Sequence, residues 1–125
     1  MKLELDCGSS TYVIQSYSAG LLVINHQRVT GSCIVLPDQL IDDWRPQSFD
    51  DLTSHDLAAV AKLSPEIVLL GTGKRLMFPS TETLAPLVNQ NIAIEVMDTA
   101  AACRSYSVLM AEGRRVAAAL LMIES

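Results

Sequence analysis

The feature that most constrains the fold is an unbroken apolar segment, Val116 to Ile123, near the end of the 125-residue chain. It is far shorter than the roughly 20 residues that an α-helix needs to cross a bilayer. It also lacks the polar alternation of a strand that has one face in water. Such a segment is typical of a central strand covered on both faces by helices, so we predict that most of its side chains are buried.

A helix, a strand and a second helix are predicted before this segment. Thr53 to Asp56 can cap a helix through a side-chain oxygen, and Ser64-Pro65 should end it because a residue before proline disfavours the α conformation. Ile67 to Leu70 follows as a short apolar strand. The second helix should follow Ser80, and Pro86 must then lie in its first turn or kink it.

The third helix has the clearest pattern. Asp98, directly after the apolar strand Ile92 to Met97, can accept N–H bonds at the start of the helix, and Gly113 can close its end. Its apolar face is predicted at Ala102, Tyr106, Leu109 and Met110. Arg104 points roughly opposite this face. We therefore expect it at the surface, where Arg104→Ala should change stability by no more than about 0.5 kcal/mol.

The first third of the chain is predicted to be antiparallel β-structure. Tyr12 to Ser16, Gly20 to Asn25 and Val29 to Leu36 are rich in β-branched and aromatic residues, and Asn25-His26-Gln27 has the character of a hairpin turn. The remainder follows a β-α-β-α-β order. Because no repeat or linker divides the chain, we predict a single α/β domain over residues 1–125.

Charge and cysteine content limit the partners and the compartment. The net charge is -5, which works against strong attraction to nucleic acid or anionic lipid, and no segment suits membrane insertion. Cys7, Cys33 and Cys103 are odd in number and far apart, so neither a disulfide framework nor a zinc site is indicated. The first ten residues resemble neither a signal peptide nor a transit peptide. We expect a cytoplasmic location.

A crevice beyond the strand ends is the candidate ligand site. Gly71, Thr72 and Gly73 follow a predicted strand, where glycines let the backbone approach a ligand and the next lysine could meet an anion. Asp98 lies where α/β sheets bind ligands, and Arg104 could contact an anion or a partner. The simpler alternatives are a plain turn at Gly71 to Gly73, a helix cap at Asp98 and a solvated charge at Arg104.

Motifs for catalysis, cofactors or metals are missing from the sequence. The glycine-rich stretch lacks the spacing of a phosphate-binding loop or a dinucleotide fingerprint, and there is no G-x-S-x-G. His26 and His55 lack the spacing of metal ligands, and Cys103 is expected to be buried as a small hydrophobe. We expect neither cofactor nor metal, and a non-enzymatic role is favoured over an enzymatic one.

Several segments carry a family resemblance. Glu95 to Tyr106, Glu112 to Leu120, Ile34 to Pro37, Gly71-Thr72-Gly73 and Phe78-Pro79-Ser80 resemble the family of the mitochondrial complex I assembly factor 3, which includes bacterial and archaeal proteins of unknown function. The resemblance extends over nearly the whole chain and implies a three-layer α/β fold around a mixed sheet. In the mitochondrial branch it implies assembly of NADH:ubiquinone oxidoreductase through protein contacts, and no catalytic residues carry over.

Two hypotheses of function remain. The first is an interaction or assembly factor whose protein partner belongs to a respiratory complex or to membrane biogenesis. The second is a small-molecule or anion-binding protein, or an enzyme, that uses the crevice near Gly71 to Gly73 and Asp98. The sequence lacks a mitochondrial presequence and has Ser105-Tyr106-Ser107 where family members often have Thr-Tyr-Asn. The missing presequence predicts a prokaryotic protein. The changed side chains at residues 105–107 argue against a ligand that those particular side chains would recognise.

Overall fold

The structure, a computed structural model, describes residues 11–122. Cys7 and Ile123, which enter the predictions above, therefore lie outside the described residues. Within residues 11–122 the chain forms eight strands and three α-helices: β1 (Ile14–Ser18), β2 (Leu21–Ile24), β3 (Gln27–Val29), β4 (Cys33–Leu36), β5 (Gln39–Ile41), α1 (Ser54–Ala61), β6 (Ile67–Thr72), α2 (Thr81–Val88), β7 (Ala93–Met97), α3 (Thr99–Ala111) and β8 (Val116–Leu121).

The described strands form two sheets. Strands β1, β2 and β3 make an antiparallel meander, and a five-stranded sheet has the order β5-β4-β8-β6-β7. Strand β8 lies in the centre of the larger sheet, parallel to β6 and antiparallel to β4, and all six of its residues are buried. The prediction of a buried central strand is therefore confirmed for Val116–Leu121.

Two apolar clusters cover opposite faces of the larger sheet. Leu69 and Ala118 lie in the first cluster, with α3 and the β1-β2-β3 meander. Leu70 and Ala119 lie in the second cluster, with α1 and α2. Successive residues of a strand point to opposite faces, so the unbroken apolar pattern of β6 and β8 supplies both clusters at once. The structure is thus a three-layer α/β fold around a mixed sheet, as predicted.

The N-terminal third is antiparallel as predicted, but its strand limits differ. The strand predicted at residues 12–16 spans Ile14–Ser18. The stretch Val29 to Leu36 is not one strand, because β3 pairs with β2 in the meander and β4 pairs with β8 in the other sheet. The hairpin turn between β2 and β3 is confirmed, since Asn25 and His26 have φ values of 49° and 68°, the positive range that a tight hairpin turn needs.

The helix ends also depart in detail from the predictions. Helix α1 ends at Ala61, three residues earlier than predicted, and Ser64 takes a φ of 57° in the following turn. Pro86 lies in the second turn of α2, not in the first. In an eight-residue helix, proline at that position removes few of the intrahelical hydrogen bonds. Helix α3 begins after Asp98 as predicted, and Gly113 follows its last turn with a φ of 81°.

Candidate functional site

Thr99 joins the ends of β6 and β8 to the start of α3. Its backbone N–H donates to the Gly73 carbonyl oxygen at 2.9 Å. Its hydroxyl Oγ1 accepts from the Gly73 N–H at 2.8 Å and donates to the Leu121 carbonyl oxygen at 2.5 Å. Thr99 is completely buried. The polar groups at this end of the sheet are therefore largely satisfied by one another, which leaves fewer of them for a ligand.

Gly71 makes this junction possible because it has no side chain. A Cβ atom at position 71 would lie 2.9 Å from Thr99 Oγ1 and 3.0 Å from Thr99 Cα, closer than packed atoms tolerate. Gly73 takes a φ of 99°, in the left-handed region that favours glycine, and turns the chain away from the sheet. The two glycines thus have structural roles at the helix–sheet junction and the turn.

The loop of residues 74–78, directly after this turn, is exposed throughout. The exposed fraction of Phe78 is 73%, and Leu76 and Met77 are also exposed. We call these three residues the apolar lip. The buried Thr72 fixes the loop, since its hydroxyl donates to the Arg75 carbonyl oxygen at 2.5 Å and accepts from the Met77 N–H at 3.1 Å.

A groove lies beside this loop. Its larger recess has a volume of about 430 Å³, and its smaller recess has a volume of about 240 Å³. Phe49 and Asp50 line both recesses, and we call this shared side of the groove the Phe49 wall. Lys74 and Arg75 also line the larger recess, and Phe78 also lines the smaller one. The groove therefore combines aromatic surface with charges of both signs.

A network of charged side chains holds the Phe49 wall in place. The Arg45 guanidinium donates to both carboxylate oxygens of Asp56, at 2.8 and 2.7 Å, and to Asp51 Oδ1 at 3.1 Å. These bonds from Arg45 are the main reason that the pKa of Asp56 is lowered. Asp56 also accepts from the Thr53 N–H at 2.8 Å, which caps α1. The ion pair thereby connects the turn Phe49–Asp51 to the first turn of α1.

The structure brings two of the five predicted site residues to the groove. Thr72 and Gly73 line the larger recess, whereas Gly71 is buried against Thr99. Asp98 is not among the lining residues of either recess. Its Oδ1 accepts from the Ala101 N–H at 2.9 Å, so the predicted cap of α3 is confirmed.

Arg104, the fifth predicted residue, lies apart from the groove. It is exposed as predicted, and its Nη1 donates to the Tyr17 hydroxyl on β1 at 3.0 Å. Cys103, the preceding residue, is buried as predicted. Burial raises the pKa values of Cys103 and Cys33 to about 12. Both thiols are therefore protonated at neutral pH and are poor nucleophiles.

Within residues 11–122, no group of three or more His, Cys, Asp or Glu side chains is placed to hold a metal ion. No helix in that part of the chain is long and apolar enough to cross a membrane. His26 and His55 are both exposed.

Sequence reasoning did not identify the Phe49 wall or the apolar lip as parts of a site. The apolar run of residues 76–78 could have been noticed, because Gly73 and Pro79 bound it too closely for a buried strand. For Phe49 the sequence carries no such signal. It lines the larger recess together with residues 72–75, which are more than twenty positions away in the chain.

Comparison with known proteins agrees with this architecture. A crystal structure of a protein from Bordetella parapertussis superimposes with a TM-score of 0.85 at 36% identity, covering 90% of this chain and 97% of the other. The solution structure of a Mth938-like domain from Bordetella pertussis gives a TM-score of 0.84 at 30% identity, covering 100% of this chain and 94% of that domain.

The sequence comparisons identify the family. NADH dehydrogenase (ubiquinone) 1 alpha subcomplex assembly factor 3 of Xenopus tropicalis is 34% identical over 122 residues, or 96% of this chain and 66% of that protein. The chain thus spans about two thirds of the relative's length, and the predicted resemblance to the assembly-factor family is confirmed. A family model described as a protein of unknown function (DUF498/DUF598) matches residues 14–121. Because this match covers most of the chain, the protein belongs to the DUF498/DUF598 family.

Proposed function

We propose that this protein is a non-enzymatic assembly factor that acts through protein contacts during the assembly of NADH:ubiquinone oxidoreductase. The observation that carries the proposal is the 34% identity with an assembly factor of that enzyme over 96% of the chain. Since the chain spans about two thirds of that relative, the proposal concerns the shared domain.

The geometry at the end of the sheet supports a role in binding rather than in catalysis. The hydroxyls of Thr72 and Thr99 both form hydrogen bonds within the protein. The thiols of Cys33 and Cys103 are buried and protonated at neutral pH. By contrast, large apolar side chains are exposed beside a groove, an arrangement common at protein interfaces.

We further propose that the protein is prokaryotic and works in the cytoplasm on a respiratory-complex or membrane-biogenesis component. The buried thiols of Cys33 and Cys103 are free, which fits a reducing compartment. The net charge of -5 disfavours attachment to anionic lipid and so favours contact with a protein.

Deletion of the gene in the source organism tests the proposal. We expect less fully assembled NADH:ubiquinone oxidoreductase and an accumulation of its subassemblies, measured by native gel electrophoresis of membrane extracts. Re-expression of the wild-type chain should restore assembly. Unchanged amounts of the assembled enzyme in the deletion strain, with no respiratory or membrane-biogenesis component recovered on a tagged chain, would contradict it.

A second candidate function is the binding of a small anionic molecule in the larger recess. It is favoured by the presence of Lys74 and Arg75 beside the turn at Gly73. Titration of the ¹⁵N-labelled protein with sodium phosphate and with sodium citrate should then shift the amide signals of residues 73–75. Lys74→Ala should abolish these shifts, and Arg104→Ala, outside the groove, should preserve them. Unchanged amide signals in that loop at millimolar anion would exclude this function.

A further inference from the structure

We propose that the groove between the Phe49 wall and the loop of residues 74–78 docks a segment of a partner protein that carries apolar side chains and a carboxylate. The existence of such a partner rests on the proposed function. The location of its binding surface and the chemistry of its docking segment are inferred from the groove itself.

The apolar lip supplies the first reason. The exposed fractions are 50% for Leu76, 42% for Met77 and 73% for Phe78. Three consecutive large apolar residues are thus held in water, which costs free energy in the isolated protein. Aromatic residues, methionine and arginine are enriched at protein interfaces, and Arg75 directly precedes the lip. This composition favours a protein partner.

The rigidity of the loop supplies the second reason. Thr72 bonds to the backbone of both Arg75 and Met77, and Gly73 is bonded on both its N–H and its carbonyl to Thr99. These hydrogen bonds order the loop backbone at Arg75 and Met77 before any partner arrives. A preorganised surface loses less conformational entropy on binding than a mobile loop does.

The arrangement of charges indicates which segment would fit. Lys74, Arg75 and Asp50 all line the larger recess. Within residues 11–122 neither cation takes part in a salt bridge. A carboxylate on the partner would therefore find complementary charge on the Lys74 side and repulsion from Asp50, which fixes the orientation of the segment.

A flat anionic membrane fits this surface less well. Its headgroups would meet two cations, but the whole chain carries a net charge of -5. The two recesses adjoin at Phe49 and Asp50, and side chains of a protein segment can fill such recesses whereas a flat surface cannot. The membrane is accordingly an alternative outcome of the test.

Site-specific photo-cross-linking tests the inference in the source organism. The full chain is expressed with p-benzoylphenylalanine in place of Phe78 and, as the matched control, in place of Val108, which is 59% exposed on α3 and lines neither recess. Thermal unfolding confirms that each variant folds. We expect a cross-linked protein at position 78 and not at position 108, with mass spectrometry mapping the cross-link to an apolar segment containing Asp or Glu.

Charge reversal then tests the orientation. Lys74→Glu with Arg75→Glu should lower the cross-linking yield at position 78 by about tenfold, the scale of losing close charge complementarity. Lipid adducts, cross-links to a second copy of this chain, cross-links to a basic segment, equal yields at both positions or no adduct at position 78 would each overturn the inference.

The two proposals can fail separately. If the deletion impairs assembly of the respiratory enzyme but position 78 gives no protein adduct, the docking surface is wrong and the proposed function stands. If position 78 reproducibly reacts with an acidic, apolar segment of a protein that belongs neither to a respiratory complex nor to membrane biogenesis, and the deletion leaves assembly of the respiratory enzyme unchanged, the docking surface stands and the proposed function is wrong.

Discussion

Residues 71–73 are buried and bonded to the start of α3, whereas residues 74–78, which follow directly, are exposed to solvent. The first stretch contains the two glycines that suggest a ligand loop in the sequence. Gly71, however, leaves the space that Thr99 occupies, and Gly73 turns the chain. The second stretch has no recognisable motif and carries the exposed apolar lip. A glycine-rich strand end can thus close a fold while the residues directly after it stay exposed to solvent.

The difference has a simple origin in the pairing of β6. Up to Thr72 the strand lies between β7 and β8, so its side chains enter the two apolar clusters. Beyond Thr72 both neighbouring strands have ended, and the chain has no sheet to join. At this end of β6 the side-chain hydroxyls of Thr72 and Thr99 form hydrogen bonds with the backbone in place of the missing strand hydrogen bonds.

The largest effect on stability is expected for Thr99→Val. Valine has nearly the same shape but leaves the Gly73 N–H and the Leu121 carbonyl without the partner they have now. Each unsatisfied buried group costs roughly 1–3 kcal/mol, so with two such groups the free energy of unfolding should fall by about 2–6 kcal/mol in urea denaturation. Thr99→Ser keeps the hydroxyl and should lose much less. A valine variant as stable as wild type would show that this junction is not important for stability.

A somewhat smaller effect is expected for Gly71→Ala. The added methyl would press on Thr99 and on the Leu120 side chain, and overpacking of this kind typically costs about 1–3 kcal/mol. Gly31→Ala is the matched control, because a Cβ there meets nothing within 4 Å, and it should change the free energy of unfolding by no more than about 0.5 kcal/mol. Equal losses in the two variants, measured by urea denaturation, would break the distinction between packed and open glycines.

The sequence predicts those parts of the fold that local signals determine. The continuous apolar run of β8 gives its central position, and the asparagine and histidine at residues 25–26 give the hairpin turn. The helix cap at Asp98 is likewise a signal contained within four residues. Each of these predictions depends on neighbours in the chain, and each is confirmed.

The sequence does not predict features that depend on distant contacts. Thr99 is buried because it meets Gly73 and Leu121, which lie 26 and 22 positions away. The division of the Val29 to Leu36 stretch into β3 and β4 follows from pairing with two different sheets. The candidate site has the same character, since Phe49 joins it from a remote loop. Local composition carries no information about such encounters.

Asp98→Ala should have an intermediate effect on stability. Asp98 lies where the buried junction meets α3. The carboxylate accepts one N–H bond in the first turn, and losing such a cap costs about 1 kcal/mol. Asp98→Asn and Asp98→Ser can still accept this bond and should retain most of the stability in thermal unfolding. If Asp98→Ala also weakened partner binding in a fully folded protein, Asp98 would belong to the functional surface as well as to the helix cap.

The smallest effect on stability is expected for Phe78→Ser in the apolar lip. Because Phe78 is 73% exposed, removal of its ring should change the free energy of unfolding by no more than about 0.5 kcal/mol. Phe49, the other phenylalanine of the chain, packs against the second apolar cluster and provides the matched control. Burial of apolar surface is worth roughly 25 cal/mol per Å², so Phe49→Ser should lower stability clearly more than Phe78→Ser does. Denaturation in urea compares the two variants directly. If Phe78→Ser were the more destabilising, the lip would belong to the packed core, and the contrast between the buried junction and the exposed loop would fail.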